Sequence, residues 1–313
     1  MSALLVRRLI QLIPVAFWIT LAVFLLIRLI PGDPARIILG IHATPELIET
    51  VRRNLGLERS LVAQYAIFLL HLAQGDLGHS YFYSQPVASL VAEHILPTVL
   101  LLLGATLVTV VIAFPAAILA ALNPSSVWDQ AVRFATVFGI GLPSYWLGIV
   151  LVLLLAIAIP LFPVAGYGDT PAEHLWSLFL PALTIALSLV PLVLRALRAS
   201  VMEALRASYV DTARAKGLPG RVVLFHHVVR NALMPAVTVL GLNIGYLIGG
   251  TVIVENVFAI PGLGQLMIGS IGTRDYPTVQ AVTLVFAILV VLVNLLTDVI
   301  YLLLDPRLRA QLR

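Results

Sequence analysis

The chain has no cysteine, which excludes disulfides, thiolate metal sites and a cysteine nucleophile. Charge is also scarce. Asp, Glu, Lys and Arg make up 11% of its 313 residues, against roughly 25% in a soluble domain. Of the 19 basic residues only Lys216 is a lysine, and Gly217 follows it. A P-loop needs Lys followed by Ser or Thr behind a run of glycines that cradles phosphate, so the chain binds no nucleotide that way. Neither H-E-x-x-H nor G-x-S-x-G occurs, so zinc-protease and nucleophile-elbow chemistry have no residues to stand on. His226 and His227 are adjacent, and neighbours on a helix point about 100° apart. They cannot chelate one ion together and read as interfacial or solvated residues. No catalytic residue, metal site or nucleic-acid surface is expected.

What the chain does have is apolar length. Hydrophobic residues make up 60% and the mean hydropathy is +1.04, which places the chain in a bilayer. A membrane span needs about 20 predominantly apolar residues. Six stretches qualify: Leu9 to Ile30, Pro97 to Leu122, Arg133 to Ile159, Leu178 to Leu197, Ala232 to Val254, and Thr278 to Leu304. The first follows Arg7 and Arg8 like a signal peptide. Its apolar run, Leu9 to Ile27, is too long for a signal h-region, and Arg28-Leu29-Ile30-Pro31-Gly32-Asp33 is no small-residue cleavage site, so it reads as a retained span. Leu61 to Ala73 is too short to cross. It reads as a helix on the membrane surface or packed on the bundle, with Ser60 capping its start and Gly75 its end.

Charge orients the spans. With the N-terminus inside, Arg7, Arg8, Arg133, Arg195, Arg198, Arg206, Arg214, Lys216, Arg221, Arg230, Arg307, Arg309 and Arg313 are all cytoplasmic, and the short external loop Leu161 to Ser177 has no Lys or Arg. A seventh span at Leu61 to Ala73 would put the most basic loop outside, against the positive-inside rule. The expected fold is therefore an all-α integral membrane protein, one transmembrane domain over 1–313. It has six transmembrane helices, both termini cytoplasmic, an external segment over about 31–96 and a cytoplasmic loop over about 198–231. In the external segment Thr44-Pro45-Glu46 predicts an N-cap, N1 and first-turn acid, with the helix ending near Gly56. Asp298 is nearly the whole acidic inventory of the spans, which leaves a proton-coupled carrier as a possible alternative class.

The cytoplasmic loop carries the most local information. Ser208-Tyr209-Val210-Asp211 fits a capping box, a helix follows over Tyr209 to Lys216, Gly217 suits a left-handed C′ position and Pro219 stops continuation. Arg214 and Lys216 complement the negative helix end. Ala213 and Ala215 are small enough for another protein to approach closely. The residues alone fit equally an ordinary helix-turn-helix loop with a solvated basic face. In span five Gly241, Gly245 and Gly249 form a tandem G-x-x-x-G face, to pack on a sister subunit or within its own bundle. Pro115, Pro181 and Pro191 interrupt spans and mark hinges or bends.

Asp211-Thr212-Ala213-Arg214-Ala215-Lys216-Gly217, with His227 to Pro235 behind it, resembles the E-A-A-x-x-x-G loop of ABC importer permeases. Asp211 replaces the general Glu and Arg230 the general Pro, which is similar to the peptide and nickel branch. Leu29-Ile30-Pro31-Gly32-Asp33-Pro34, Leu55-Gly56-Leu57, Gly75 to Ser80, Leu142 to Gly148, Glu255 to Gly264, Arg274-Asp275-Tyr276-Pro277 and Asp305-Pro306-Arg307 resemble the same branch in order and spacing. The chain looks like the first of the two permeases of dipeptide, oligopeptide and nickel importers. The resemblance implies a type I importer fold and a multi-pass protein of the bacterial inner membrane. It implies that Ser208, Tyr209, Asp211, Thr212, Ala213, Arg214, Ala215, Lys216, Gly217 and Leu218 form the helix that docks on an ATPase. It implies a second permease as heterodimer partner, two P-loop ATPase subunits or domains that bind ATP and Mg, and an extracytoplasmic binding protein. Peptide is the expected solute, with nickel or another small solute as the alternative. Phe258 to Gly272 becomes a re-entrant or surface element.

Overall fold

The computed structural model describes residues 13–25, 29, 33–40, 43–80 and 82–304. They form two compact units, one drawn from Met1–Val99 and Pro261–Val291, the other from Leu100–Ile260 and Leu292–Arg313.

In the first unit, α1 (Ile13–Leu25) is followed by α2 (Pro34–Leu39), α3 (Pro45–Leu55) and α4 (Leu61–Ala73). Asp33 caps α2 through the Ala35 N–H at 3.2 Å and also accepts from Arg52 Nη2 of α3 at 2.9 Å. The expected Thr44 cap, Pro45 and left-handed Gly56 bound α3 as predicted. Ser60 caps α4 through the Ala63 N–H. Its buried Gln64 side chain donates to the Leu57 and Arg59 carbonyls, so its polarity is used to close the α3–α4 turn. Tyr65 and Phe68 reach α1: Tyr65 Oη lies 2.7 Å from Thr20 Oγ1, and the Phe24 and Tyr65 rings meet edge-on at 5.2 Å. Leu61 to Ala73 packs on a neighbouring helix, α1, as one of its two readings expected.

A two-residue hairpin pairs β1 (His79–Ser80) with β2 (Gln85–Pro86) and leads into α5 (Val87–Leu122). Val87, Leu90 and Val91 of α5 pack with Leu263 and Leu266 of α12 (Leu263–Gly272) and Ala281 and Val282 of α13 (Tyr276–Leu304). The residue before α12 is Gly262, which has no capping side chain. Thr98 on α5 substitutes for it, accepting the Leu263 N–H at 2.8 Å.

The second unit is built around α8 (Pro171–Leu205), which runs unbroken through Pro181 and Pro191. It is the most enclosed of the long apolar helices, with 72% of its apolar stretch buried against 22% for α13. It begins earlier than hydropathy suggested because Thr170 and Glu173 make a reciprocal capping box with Pro171 at the first helical position. Around α8 lie α6 (Val127–Ile140), α7 (Ser144–Leu151) with a π-turn over Val152–Ala158, α9 (Ser208–Ala215), α10 (Gly220–Val222) with a second π-turn over Val223–Val229, and α11 (Arg230–Val257).

One expected span is corrected. Arg133 to Ile159 is not straight but a pair, Val127–Ile140 and Ser144–Ala158, bent by 111°. Pro143 explains the break: its ring disfavours helical backbone at Leu142, and Pro143 itself caps α7 with extended dihedrals. Among the described residues four helices are long and apolar enough to cross a membrane, five if the bent pair is one span. The first expected span lies only partly within the described residues.

Pro191 has a packing role. A Cβ on Gly139 of α6 would fall 2.5 Å from its Cγ and 3.4 Å from its Cβ, so the absent side chain admits the proline ring, and a ring cannot swing aside. Gly139→Ala is expected to destabilise the detergent-solubilised chain by about 1–3 kcal/mol through overpacking. A thermal-unfolding midpoint unchanged from wild type would refute the contact.

Candidate functional site

The predicted loop helix is present, with one cap reassigned. The N-cap of α9 is Ala207, whose carbonyl accepts the Val210 N–H at 2.9 Å, and no side chain caps the helix. Ser208 is therefore the first helical residue and the expected Ser208–Asp211 capping box does not form. The helix starts one residue earlier than expected, with two residues between it and the end of α8 at Leu205. Its other end is as predicted. Gly217 has φ +73°, its N–H reaches the Arg214 carbonyl at 2.9 Å, and the Leu218 N–H reaches the Ala213 carbonyl at 3.3 Å. These are the paired bonds of a Schellman stop.

α9 has two faces. Val210 is fully buried and Ala213 is 4% exposed, in one cluster with Ala120 and Ala121 of α5, Val132 of α6, Leu197 and Val201 of α8, and Val223 and Val228 of the π-turn. Ala213 thus packs against its own chain, correcting the expectation that it admits a partner. Ala215 remains exposed. With it on the outer face stand Ser208, Tyr209, Asp211, Thr212, Arg214, Lys216, Gly217 and Leu218.

The π-turn explains how α9 stays mounted. Val223, Val228, Ala232 and Ala236 are all buried, at spacings of five, four and four. Five residues of α-helix would carry Val228 off the core face, whereas a π-turn closes on the i→i+5 interval. His226 is exposed and His227 half-buried on this turn, their rings 5.9 Å apart. Among the described residues no group of three or more potential metal ligands occurs.

Between α6 and α8 lies a cluster that hydropathy could not reveal. Asp129 of α6 is fully buried. Its Oδ2 accepts from Arg133 Nη2 at 2.6 Å, Arg133 Nε at 3.1 Å and the Ser125 N–H at 3.0 Å, and its Oδ1 from Arg198 Nε of α8 at 2.5 Å. Two arginines that had served only to orient the chain are thus engaged with a carboxylate. Local signals existed in Ser126-x-x-Asp129, where Ser126 Oγ accepts the Asp129 N–H, and in the i,i+4 pair with Arg133. The link to Arg198 is 69 residues long and has no local signature.

The short motifs that carried the resemblance meet in pairs. A Cβ on Gly148 would lie 3.2 Å from Phe258 and 3.6 Å from Val257, so the last residue of the Leu142 to Gly148 motif packs on the first part of the Glu255 to Gly264 block. Ser80 Oγ donates to the buried Asp275 Oδ2 at 2.6 Å, as does Thr278 Oγ1, which ties Gly75 to Ser80 to Arg274 to Pro277. The glycine face of α11 divides. A Cβ on Gly241 would meet Thr297 of α13 at 2.5 Å, whereas one on Gly249 would meet nothing within 4 Å. Asp298 is half-buried. In the loop before α8 the Tyr167 ring stacks on His174 at 4.0 Å, and burial pushes the Tyr167 phenol up from its ordinary pKa.

Two family models match end to end: binding-protein-dependent transport system inner membrane component over residues 113–310, and the N-terminal part of such membrane components over residues 1–103. The chain belongs to this family. It is 39% identical over 312 residues to a Brucella abortus (strain 2308) protein named as a peptide transport system permease, covering 99% of each chain. It is 36% identical over 304 residues to the glutathione transport system permease protein GsiC of Escherichia coli (strain K12), covering 97% of this chain and 98% of that one. The resemblance read from the motifs is borne out. The chain is a helical, multi-pass membrane component of an ABC import system, a transport subunit that works with ATPase and binding-protein components.

The two faces of α9 make distinct predictions. Val210→Ala is expected to lower the stability of the isolated chain by about 2 kcal/mol through a cavity behind the helix. Tyr209→Ala is expected to stay within about 0.5 kcal/mol of wild type. Equal effects in thermal unfolding would overturn the assignment of the faces.

Proposed function

We propose that the chain is the first-type permease subunit of a peptide importer of the bacterial inner membrane, pairing with a different sister permease to form the translocation pathway. Two P-loop ATPase subunits or domains bind ATP and Mg, hydrolyse the nucleotide and press on α9, while an extracytoplasmic binding protein delivers the solute. The proposed topology is one permease domain with six spans and both termini cytoplasmic. α1 is the core of the first span and the bent α6–α7 pair is the third. Ser208, Tyr209, Asp211, Thr212, Arg214, Ala215, Lys216, Gly217 and Leu218 form the docking face, with Ala213 as part of its mount. Gly249, and Gly245 beside it, pack against the sister permease, while Gly241 serves the chain's own bundle.

The observation that carries this reading is the construction of α9. A helix of two turns, stopped at both ends and rooted by Val210 and Ala213 in a core drawn from α5, α6 and α8, can pass a push to the spans without deforming. A mere solvated loop has no need of such a root. Peptide as the solute follows from similarity to permeases named for peptide and glutathione transport. The pathway itself need only offer a hydrated route with weak contacts.

The test is to tag this chain, extract native membranes in mild detergent and identify stoichiometric partners. A second permease with one or two P-loop ATPases is expected, and a chain recovered only with itself would refute the assembly. Gly217→Ala is expected to weaken ATPase retention several-fold. The space beside Gly217 is open, so the cost is the left-handed conformation alone, about 1 kcal/mol. Unchanged retention and unchanged ATP-driven uptake would remove α9 from the docking role.

A further inference from the structure

α6 is fixed to α8 at two points. Near its start Asp129 accepts from Arg198 Nε. Near its end Gly139 admits the ring of Pro191. The residue order is opposite on the two helices, so they run antiparallel. Between these points Val132 faces the cluster that also holds Val201, Val210 and Ala213. Beyond Gly139 the chain turns through the 111° elbow into α7, where Gly148 rests on Phe258 and Thr184. A displacement of α9 is thus carried through the π-turn Val223–Val229 and the shared cluster, which hold residues of α6 and α8 as well.

The contacts that join α6 to its neighbours differ in kind. Alkyl contacts within the cluster that holds Val132 and Val201 slide by a fraction of an ångström at little cost. Charge-assisted hydrogen bonds with fixed donors do not. A buried ion pair is a poor source of stability compared with apolar packing of the same volume, so what this one adds is direction. The link between the helices is also narrow. Arg133 holds Oδ2 from within α6, and Arg198 reaches Oδ1 through Nε while its Nη2 is enclosed with no hydrogen-bond partner among the described residues.

We propose that Asp129 is a positioning residue for energy coupling: with Arg198 it clasps α6 to α8, so that a push on α9 reaches the elbow at Gly141–Pro143. The inference rests on the docking role of α9.

The absence of cysteine supplies clean reporters. Ala215→Cys reads the docking face and Leu142→Cys the elbow, each followed as the rate of maleimide labelling on this chain in the complete importer in nanodiscs, without nucleotide and with ATP plus vanadate. In an otherwise wild-type chain both rates are expected to change on trapping. With Asp129→Asn the Ala215→Cys response is expected to persist while the Leu142→Cys response falls about tenfold. If that variant does not assemble, Arg198→Lys, which keeps the charge, is read the same way. A purely structural role would move both reporters, or shift the nucleotide-free rates as much as the trapped ones, and either result overturns the clasp. So does an elbow response undiminished in the variant, or absent in the wild type while the docking face responds. No response at Ala215→Cys in the wild type overturns the docking role of α9, and the clasp with it.

Discussion

Hydrocarbon offers no partner to a backbone N–H or C=O, and this fold is arranged around that constraint. The long apolar segments are helices because only a helix pairs its own backbone throughout. Hydroxyls within them bond back to the preceding turn, as Thr109 does to Ala105 and Thr184 to Leu180. At two irregular places among the described residues, protein groups satisfy the backbone. At Gly262, Thr98 takes over the missing cap. In the π-turn Val152–Ala158, the Ile159 N–H still reaches the Leu154 carbonyl.

The same constraint makes the departures from regular helix informative. The elbow at Gly141–Pro143, the π-turn beside α9 and the left-handed Gly217 interrupt helices that would otherwise run on. Two of them flank α6 and α9, the elements joined through Val132, Val210 and Ala213 to the long helix α8. Prolines within α8 do not interrupt it. Pro191 fills a notch left by Gly139, which favours the reading of that proline as packing over hinge.

Much of the layout was legible because it is written locally. Caps at Thr44 and Ser60, the stop at Gly217 and the apolar runs are decided within a few residues. Hydropathy placed helices well but not their ends: α8 starts at Pro171 because of Thr170 and Glu173, polar residues that a hydropathy count discards. It could not see the elbow, because Leu142-Pro143 is as apolar as its surroundings and the bend comes from ring sterics. Arg133 and Arg198 were visible only as charge on one side of a membrane. Their shared contact with Asp129 depends on how α6 crosses α8. The inward turn of Ala213 was likewise hidden, since small size suits a core and an interface alike, and only the position of Val210 three residues earlier decides between them.

The two faces of α9 place its eight residues under different evolutionary bookkeeping. Val210 and Ala213 touch only this chain, so variation there is answerable to neighbours encoded in the same gene and can be compensated by a change at Val132 or Val201. Tyr209, Asp211, Arg214 and Ala215 face outward, and if they meet a second polypeptide, compensation must arise in another gene. Drift on the inner face is then free to differ between lineages in step with the permease core. Drift on the outer face is tied to whatever surface it meets, and a transplanted α9 would carry its partner preference with it while leaving its mounting behind.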